Sequence, residues 1–447
     1  MHDLSRIIKA YDIRGVVPDE LDAEVARAAG AAFARFTGAS RIVVAHDMRD
    51  SGPALVDAFT DGVTAQGVDV LNAGLASTDM LYFAAGSLQL PGAMFTASHN
   101  PAKYNGIKLC LAGAAPVGQE SGLREIRADM EEGTPDAGGA RGSVEHRDLL
   151  GDYADYLKKL VDLSGIRPLK VVVDAGNGMG GHTVPTVFAG LPIELTSMYF
   201  ELDGTFPNHE ANPIDPANTA DLQAKVREVG ADIGLAFDGD ADRCFVIDER
   251  GEIVSPSVLT SLIATRELAK HPGSAIIHNL ITSRAVPEIV KEQGGAPVRT
   301  RVGHSFIKAT MAETGAVFGG EHSGHFYFRD FWKADSGMLA ALHTLAALGE
   351  QDGTLSQLLA RYSRHVMSGE INTEVADAPA KLVELERAFA GRAELDHLDG
   401  LTFDLGGDTW FNVRPSNTEP LLRLNVEAPD TGGMVALRDE VLGIIRS

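Results

Sequence analysis

The chain has 447 residues, of which 44% are apolar and 23% charged. This composition excludes an intrinsically disordered protein, and the length excludes a single hydrophobic core. Lys and Arg number 39 against 62 Asp and Glu, so the formal net charge is −23. This balance argues against nucleic acid or a membrane surface as a partner. It permits a small anionic ligand, because a local cluster of cations can reverse the field in one cleft.

The chain contains only two cysteines, Cys110 and Cys244, and both lie in apolar, strand-like runs. Two cysteines cannot form a disulfide framework for a chain of this length, so we expect two reduced, buried thiols in a cytoplasmic protein. The N-terminal sequence has no apolar region of the kind found in secretory signals, and no run approaches the ~20 apolar residues of a membrane span.

A loose threefold recurrence organises most of the chain. Each unit begins with a short apolar strand followed by a polar loop and a helical stretch; these strands are 41–47, 169–175 and 274–280. Each unit later produces a strand that leads into a polar loop, and these segments are 92–101, 231–243 and 316–325. Strands that alternate with helices predict βαβ units, in which functional groups collect where strands end in loops.

Helical periodicity covers 21–37 and 335–349, whereas 399–428 has the pattern of short strands joined by turns. The pattern predicts an α/β protein with three related mixed α/β domains and a smaller C-terminal α+β domain. The expected domains are 1–142, 143–252, 253–365 and 366–447.

Asp238, Asp240 and Asp242 form a D-x-D-x-D pattern after the second of these strands. Three like charges within five residues repel one another unless a cation neutralises them, so we expect a metal site rather than three solvated turn residues. An EF-hand is excluded because Arg243 stands where its turn glycine is required. A site with few protein ligands and room for phosphate oxygens suits Mg²⁺.

Ser98 lies in the loop 96–101, Thr-Ala-Ser-His-Asn-Pro. Taken alone, it is most simply a turn residue, and no G-x-S-x-G pattern indicates acyl transfer. A serine that carries a phosphoryl group would need a divalent cation and cationic groups nearby. The aspartate trio, Arg243 and Lys108 supply them if the loops meet.

The third loop, 320–325, contains Glu321, Ser323 and His325. A carboxylate and a hydroxyl are suited to bind sugar hydroxyls, and His325 is a candidate proton shuttle. A histidine that ligates a metal or lies in a turn is the simpler alternative. His304, in a second Gly-His-Ser loop, is a weaker candidate.

The segment Arg414–Pro420 joins two strands of the last domain. Its guanidinium, hydroxyl and amide groups suit a tetrahedral oxyanion, and Arg423 offers a second cation. The alternative is a hairpin with polar turn residues.

The segment 176–181 follows an apolar strand and contains G-x-G-x-x-G, the pattern of a dinucleotide-binding loop. Glu194 and Glu201 lie near the position of the acidic residue that such a site requires. The pattern alone explains none of the other four loops, so a nicotinamide oxidoreductase remains a distant alternative.

The motifs TASHNP, FDGDADR, GEHSGH and RPSNTEP occur in this order, after an N-terminal YDIRG. The chain resembles the α-D-phosphohexomutases over essentially its whole length, and within them most resembles the bacterial phosphomannomutase/phosphoglucomutase group. The resemblance implies four domains around one central cleft, with one loop from each domain at the site.

The resemblance also assigns roles. Ser98 would be the phosphoserine, the three aspartates and Ser98 would bind one Mg²⁺, and Arg243 would brace them. Glu321 and Ser323 would bind the sugar hydroxyls. Residues expected to hold the phosphate that does not react are Arg414, Ser416, Asn417, Thr418 and Arg423. Other expected cleft residues are Tyr11, Arg14, His99, Lys108, His304 and His325, with Lys108 and His325 as proton-transfer groups.

One position departs from the family pattern. Relatives often carry, two residues before a Thr-Arg pair, a lysine that contacts the substrate. In the corresponding stretch here, 279–284, Ile281 occupies the position of that lysine. Arg284 is the candidate that could compensate for it.

The expected activity is reversible interconversion of mannose 6-phosphate and mannose 1-phosphate through a bisphosphorylated sugar, with a hexose bisphosphate as activator. The expected partner is a small sugar phosphate, and the expected assembly is a monomer or homodimer. A phosphoglucomutase or a dual-specificity enzyme is the closest alternative, and a phosphoglucosamine mutase is less favoured. A protein that binds sugar phosphates without catalysing a reaction is a further alternative.

Overall fold

The computed structural model describes residues 3–133, 135–416 and 421–447, with only the backbone at His304 and Ser305. The chain forms two compact units, Met1–Val254 with Ser323–Gln357, and Ser255–His322 with Leu358–Ser447. None of the helices in the described ranges combines the length and the apolar character that a membrane span requires.

The first sheet of the first unit is mixed. In spatial order its strands are Ile13–Val16, Tyr104–Leu111, Gly92–Phe95, Arg41–His46, Asp69–Leu75 and Val144–His146, and Ala115–Pro116 pairs with Tyr104–Leu111. The strands from Gly92–Phe95 to Val144–His146 are parallel, and the first two strands are antiparallel to their neighbours. The loops after His46 and Phe95 therefore lie side by side at one edge.

Helices of this domain bury apolar stripes against the sheet. They are Leu4–Ile7, Ala23–Thr37, Gly52–Ala65, Thr78–Ser87 and Leu123–Glu132. The helix Ala23–Thr37 begins where Asp22 accepts a hydrogen bond from Val25 N and ends at Gly38, whose φ is +56°. A Cβ at Gly30 would lie 2.1 Å from the carbonyl oxygen of Phe59, so this glycine permits close packing against the helix Gly52–Ala65.

The second sheet of this unit has the order Ile253–Val254, Cys244–Asp248, Ile233–Phe237, Leu169–Asp174, Ile193–Met198. Its last three strands are parallel, and Cys244–Asp248 turns back antiparallel after the aspartate loop. The associated helices are Leu150–Leu160, Gly180–Phe188 and Ala220–Val229. The first unit also contains the hairpin of Phe326–Phe328 and Ala334–Asp335 and the buried helix Gly337–Gly349.

The second unit contains the parallel strands Ala296–Thr300, Ala275–Asn279 and Phe318–Gly320. Its helices in this region are Pro256–Lys270, Ala285–Glu292 and His304–Thr314. The short helix Leu355–Leu359 spans the point in the chain where the assignment changes from the first unit to the second.

The last part of the second unit is an antiparallel sheet. Its strands are Val366–Met367, Ile371–Glu374, Leu421–Ala428, Thr409–Pro415, Leu401–Gly406 and Glu394–Asp396, and the helices Ala378–Ala388 and Thr431–Ile445 accompany them. Short 3₁₀ turns elsewhere in the chain are Ala112–Ala114, Gln119–Ser121, Pro216–Thr219 and Arg329–Phe331. Phe389, Phe403 and Phe411 pack together in the core of this sheet.

The predicted fold class is confirmed in its α/β and α+β composition. The predicted helices 21–37 and 335–349 correspond to Ala23–Thr37 and Gly337–Gly349. The three strands predicted to lead into polar loops correspond to Gly92–Phe95, Ile233–Phe237 and Phe318–Gly320. Both cysteines are buried thiols, and neither forms a disulfide bond within the described residues.

Candidate active site

Ser98 and the three aspartates lie together in the first unit, although 140 residues separate Ser98 from Asp238. The Ser98 hydroxyl donates a hydrogen bond of 3.1 Å to Asp238 Oδ2. A Cβ at Gly239 would lie 2.5 Å from the Ser98 carbonyl oxygen, so the two loops approach this closely because residue 239 is glycine.

The aspartate trio is almost completely buried, with Asp238, Asp240 and Asp242 at most 1% exposed. One carboxylate oxygen from each lies within 4.8 Å of the others. Burial raises the pKa of Asp238, an effect that Arg243 opposes and the charges of the other two aspartates reinforce. Three buried carboxylates this close therefore require cationic neighbours.

Lys108 supplies one of these cations from the strand Tyr104–Leu111. Its Nζ lies 2.7 Å from Asp240 Oδ2 and 2.7 Å from Asp242 Oδ2. Burial disfavours the ammonium form, but the two carboxylates outweigh burial and raise the pKa of Lys108 well above its usual value. Lys108 is therefore charged in this arrangement.

Arg243 supplies the second cation and braces the loop. Its Nε donates to Asp238 Oδ2 at 2.8 Å, and its backbone N–H donates to Asp238 Oδ1 at 3.1 Å. A Cβ at Gly337 would lie 2.6 Å from the Arg243 carbonyl carbon, so the buried helix that begins there fixes the arginine backbone from behind.

Two carboxylate oxygens in the trio are left for a further cation. Among the described residues, Asp240 Oδ1 and Asp242 Oδ1 are buried and have no hydrogen-bond partner. Lys108 contacts only the Oδ2 atoms of these residues, so it does not cover the Oδ1 atoms. Hard oxygen ligands with open positions fit Mg²⁺.

His325 joins this cluster from the loop after residue 322. Its Nδ1 lies 2.9 Å from Ser323 Oγ, and its Nε2 lies 3.6 Å from Asp242 Oδ1. Asp242, His325 and Asp335 also have ligand-type atoms within 4.8 Å of one another. The structure thus brings the predicted proton shuttle beside the aspartate loop.

His99 and Arg14 lie on the Ser98 side of the cluster. The Nδ1 of His99 is 3.1 Å from Ser98 Oγ, and burial holds the pKa of His99 well below its usual value. Arg14 Nη1 donates to Asn100 Oδ1 at 2.5 Å, and Arg14 also pairs with Asp12. Tyr11 is half-buried just before the strand Ile13–Val16.

In the second unit, Glu321 follows the strand Phe318–Gly320 and is 2% exposed. Its Oε1 accepts hydrogen bonds from Gly303 N at 3.1 Å and from Asn279 Nδ2 at 3.3 Å. The side chain of His304, at the start of its helix, lies outside the described part of the chain.

Arg414 and Arg423 are neighbours on adjacent antiparallel strands. Glu370 connects them, with Oε2 2.7 Å from Arg414 Nη2 and Oε1 3.3 Å from Arg423 Nη1. Two guanidinium groups against one carboxylate leave an excess positive charge. Ser416 N donates to Leu421 O at 2.9 Å. The predicted phosphate ligands Asn417 and Thr418 lie outside the described residues.

Sequence reasoning missed three residues that organise these loops. Thr78 donates from Oγ1 to Asp240 Oδ2 at 2.5 Å, Arg49 contacts the backbone of the Ser98 loop, and Glu370 pairs with the two arginines. The signal for Arg49 is its place in the polar loop directly after the strand Arg41–His46. Thr78 and Glu370 have no comparable local signal.

The glycine loop 176–181 supports the aspartate loop. Met179 N donates to Gly239 O at 2.8 Å, and a Cβ at Gly178 would lie 2.6 Å from that same oxygen. A Cβ at Gly181 would lie 2.2 Å from Phe200 O. Protein backbone therefore fills the space beside these glycines.

Ile281 is 2% exposed and belongs to the core. Arg284, the residue expected to compensate for the missing lysine, pairs with Asp404 at 2.5 Å, and its backbone N–H donates to Glu427 Oε1 at 3.0 Å.

Four sequence profiles match successive parts of the chain. They are described as phosphoglucomutase/phosphomannomutase alpha/beta/alpha domains I, II and III and C-terminal domain, and they match residues 5–136, 151–251, 256–365 and 370–444.

Several named proteins are similar over their full length. A protein of Xanthomonas campestris named phosphohexose mutases is 41% identical over 98% of both chains, and a phosphomannomutase of Salmonella montevideo is 39% identical over 98% of both. A phosphoglucomutase of Neisseria meningitidis is 36% identical over 99% of this chain and 97% of its own.

The fold has a close counterpart among solved structures. A phosphoglucomutase/phosphomannomutase family protein from Burkholderia thailandensis superimposes with a TM-score of 0.90 at 36% identity, covering 100% of this chain and 98% of its own.

Proposed function

The chain belongs to the phosphoglucomutase/phosphomannomutase family of mutase enzymes, and from this we propose that it is a phosphomannomutase that interconverts mannose 6-phosphate and mannose 1-phosphate. One observation supports the chemistry above all others. The Ser98 hydroxyl contacts a buried aspartate trio that Lys108 and Arg243 neutralise only in part.

Phosphoserine 98 is the proposed phosphoryl carrier. A sugar hydroxyl oxygen forms a bond to phosphorus while the bond from phosphorus to Ser98 Oγ breaks. The hydroxyl proton goes to a base, and Ser98 Oγ receives a proton from an acid. The product is a bisphosphorylated sugar, and its other phosphate returns to Ser98 in the reverse step, which completes the isomerisation. Free hexose bisphosphate acts as activator because it loads Ser98 in this same way.

Lys108 and His325 are the proposed proton-transfer groups. Two carboxylates hold Lys108 in its charged form, so its Nζ carries a proton, and Lys108 is the proposed donor. The His325 ring is oriented by Ser323 on one side and by Asp242 on the other, and an imidazole nitrogen can accept the hydroxyl proton.

The proposed ligands of Mg²⁺ are Asp238, Asp240, Asp242 and the Ser98 side chain. The support is the pair of buried carboxylate oxygens without hydrogen-bond partners. When bound, Mg²⁺ neutralises charge on the transferring phosphoryl group. Arg243 holds Asp238 in place and contributes positive charge to the same region.

The proposed ligands of the phosphate that does not react belong to the second unit. Arg414, with the excess positive charge it shares with Arg423, binds the phosphate that does not react. The other proposed phosphate ligands are Ser416, Asn417 and Thr418. Glu321, with Ser323 of the first unit, binds sugar hydroxyls, and the remaining proposed substrate contacts are Tyr11, Arg14, His99 and His304.

The carrier role is tested by intact-mass and phosphopeptide analysis of the purified enzyme incubated with a hexose bisphosphate. We expect one phosphate on Ser98, and we expect Ser98→Ala to lose both this phosphate and nearly all turnover while its circular dichroism spectrum is unchanged. Ser87→Ala, at an exposed helix end, is the matched control. Active enzyme that never carries phosphate on Ser98 would contradict the mechanism.

Substrate preference is tested by comparing kcat/KM for mannose 1-phosphate, glucose 1-phosphate and glucosamine 1-phosphate. A phosphoglucomutase or dual-specificity enzyme is the second candidate, because a relative 36% identical over nearly the whole chain is named phosphoglucomutase. Preference for glucose 1-phosphate would replace the mannose assignment and retain the mutase chemistry. Sugar-phosphate binding without turnover, with activator present, would contradict both.

A further inference from the structure

Arg49 lies in the loop between the strand Arg41–His46 and the following helix, and its side chain is only 1% exposed. Its two Nη atoms donate to four backbone carbonyl oxygens, three in the Ser98 loop and one at the start of the next strand. Nη2 donates to Ser98 O at 2.9 Å and to Asn100 O at 2.7 Å. Nη1 donates to Pro101 O at 3.0 Å and to Tyr104 O at 2.8 Å. Its Nε donates to Asp47 Oδ2 at 3.3 Å. Every N–H of the guanidinium thus faces an acceptor within the protein.

The backbone held by Arg49 has an unusual conformation. Ser98 has φ of +50°, in the left-handed region that residues other than glycine seldom adopt. Such a conformation persists only where surrounding contacts impose it. Both sides of Ser98 have such a contact, since its carbonyl oxygen accepts from Arg49 and its N–H donates to Thr96 Oγ1 at 2.9 Å.

Arg49 and Thr96 belong to one hydrogen-bond network. Asp47 accepts from the Arg49 backbone N–H at 3.0 Å as well as from its side chain, and it is also hydrogen-bonded to the Thr96 side chain. The Phe206 ring lies 5.3 Å from the Arg49 guanidinium carbon and covers one of its faces. These contacts therefore restrict the positions available to the Arg49 side chain.

We propose that Arg49, together with Thr96, is a positioning residue for Ser98: it holds the serine backbone in the left-handed conformation that directs the hydroxyl toward Asp238. The inference rests on the proposed role of Ser98 as phosphoryl carrier. Arg49 has no donor left for a substrate, so it acts through the shape of the loop.

Lysine cannot replace arginine here. An ammonium group has three donors at one point, whereas the four carbonyl groups extend over residues 98–104 and require the planar fork of a guanidinium. Arg49→Lys preserves the charge and most of the side-chain volume, but it leaves some of these carbonyl groups without their hydrogen bond from residue 49. A misplacement of ~1 Å at a reacting group can reduce the rate by about 100-fold.

The test compares Arg49→Lys with wild type and with Arg27→Lys, a control at an exposed arginine of the same domain. We expect Arg49→Lys to fold, kcat to fall by about 100-fold and KM for the sugar phosphate to stay within about threefold. The rate at which hexose bisphosphate phosphorylates Ser98, followed by intact mass, should fall in parallel with kcat. A purely structural role would lower the urea midpoint without this separation of kcat from KM.

The proposal is overturned if folded Arg49→Lys keeps wild-type kcat and a wild-type rate of Ser98 phosphorylation. It is also overturned if KM rises while kcat is unchanged. Thr96→Val, which removes the other restraint on Ser98, keeps the idea testable if Arg49→Lys does not fold, because a folded Thr96→Val with wild-type kcat would equally refute it. Wild-type enzyme that never accepts phosphate on Ser98 would instead refute the proposed function.

Discussion

The Glu370 carboxylate lies 2.7 Å from Nη2 of Arg414, a residue proposed to bind the substrate's phosphate. Glu370 also contacts Arg423 at 3.3 Å, so one carboxylate partly neutralises both guanidinium groups. The Nε atoms of both arginines are buried and, within the described residues, have no hydrogen-bond partner. This arrangement resembles an anion site whose charge is partly balanced by a resident carboxylate.

Glu370→Gln should therefore strengthen sugar-phosphate binding, by roughly fivefold in Kd or about 1 kcal/mol, because the substituted site carries one more net positive charge. Calorimetric titration in a Ser98→Ala background measures binding without turnover. Glu374→Gln, at an exposed position in the strand Ile371–Glu374, is the control and should leave Kd unchanged. Weaker binding in Glu370→Gln would mean that the carboxylate orients Arg414 instead of competing with the phosphate.

Lys108→Met should destabilise the metal-free enzyme by about 3 kcal/mol or more, because Asp240 and Asp242 lose a buried cationic partner. Millimolar Mg²⁺ should restore part of this loss, since a ligand that binds the folded state stabilises it. Urea unfolding with EDTA or with MgCl₂ measures both effects. Lys103→Met, an exposed lysine nearby, is the control, and equal stability of Lys108→Met in both conditions would argue against metal binding by this trio.

Gly178→Ala should weaken Mg²⁺ binding. The added Cβ would lie 2.6 Å from Gly239 O and 2.9 Å from Gly239 Cα, so the aspartate loop has to move. Overpacking of this kind costs ~1–3 kcal/mol, and Mn²⁺ titration followed by electron paramagnetic resonance reports the change in metal affinity. Gly165→Ala, where a Cβ meets open space, should behave as wild type. Unchanged Mn²⁺ affinity in a folded Gly178→Ala would show that the glycine loop 176–181 does not control the position of the aspartate loop.

His278 should make the stability of the protein pH-dependent. It is 5% exposed in the strand Ala275–Asn279, and burial lowers its pKa to about 4, helped by Arg299 and Lys291 and opposed by the hydrogen bond from Nδ1 to Asn279 O. The folded-state pKa lies below the unfolded value of ~6.5, so the unfolded state binds more protons and stability falls as the pH drops from about 6.5 to 4. The expected loss between pH 7 and pH 5 is about 2 kcal/mol.

Urea unfolding of wild type and His278→Gln at pH 7 and pH 5 measures this loss. The variant should lose about 2 kcal/mol less than wild type between these values, because glutamine does not titrate. His146→Gln, at an exposed position, should keep the wild-type pH dependence. An identical pH dependence in His278→Gln would show that His278 is not the responsible group.

Much of the fold and of the candidate site could be predicted from the sequence, because both depend on local pattern. Apolar runs such as 41–47 and 169–175 end in polar loops, and this alternation of strand, loop and helix identifies α/β domains without knowledge of their packing. The same reasoning placed Asp238 and Ser98 at strand ends, where side chains of different loops can meet.

Residue types and their order along the chain were enough to identify the loops of the candidate site, because such patterns need no tertiary information. Which side chains hold those loops depends on contacts that form only when distant segments of the chain fold together. Arg49 reaches the Ser98 loop because the strands Arg41–His46 and Gly92–Phe95 are hydrogen-bonded neighbours in a parallel sheet, although more than forty residues separate them along the chain. Glu370 likewise contacts Arg414 although 44 residues separate them along the chain. No local sequence pattern encodes which distant group a buried guanidinium or carboxylate will contact.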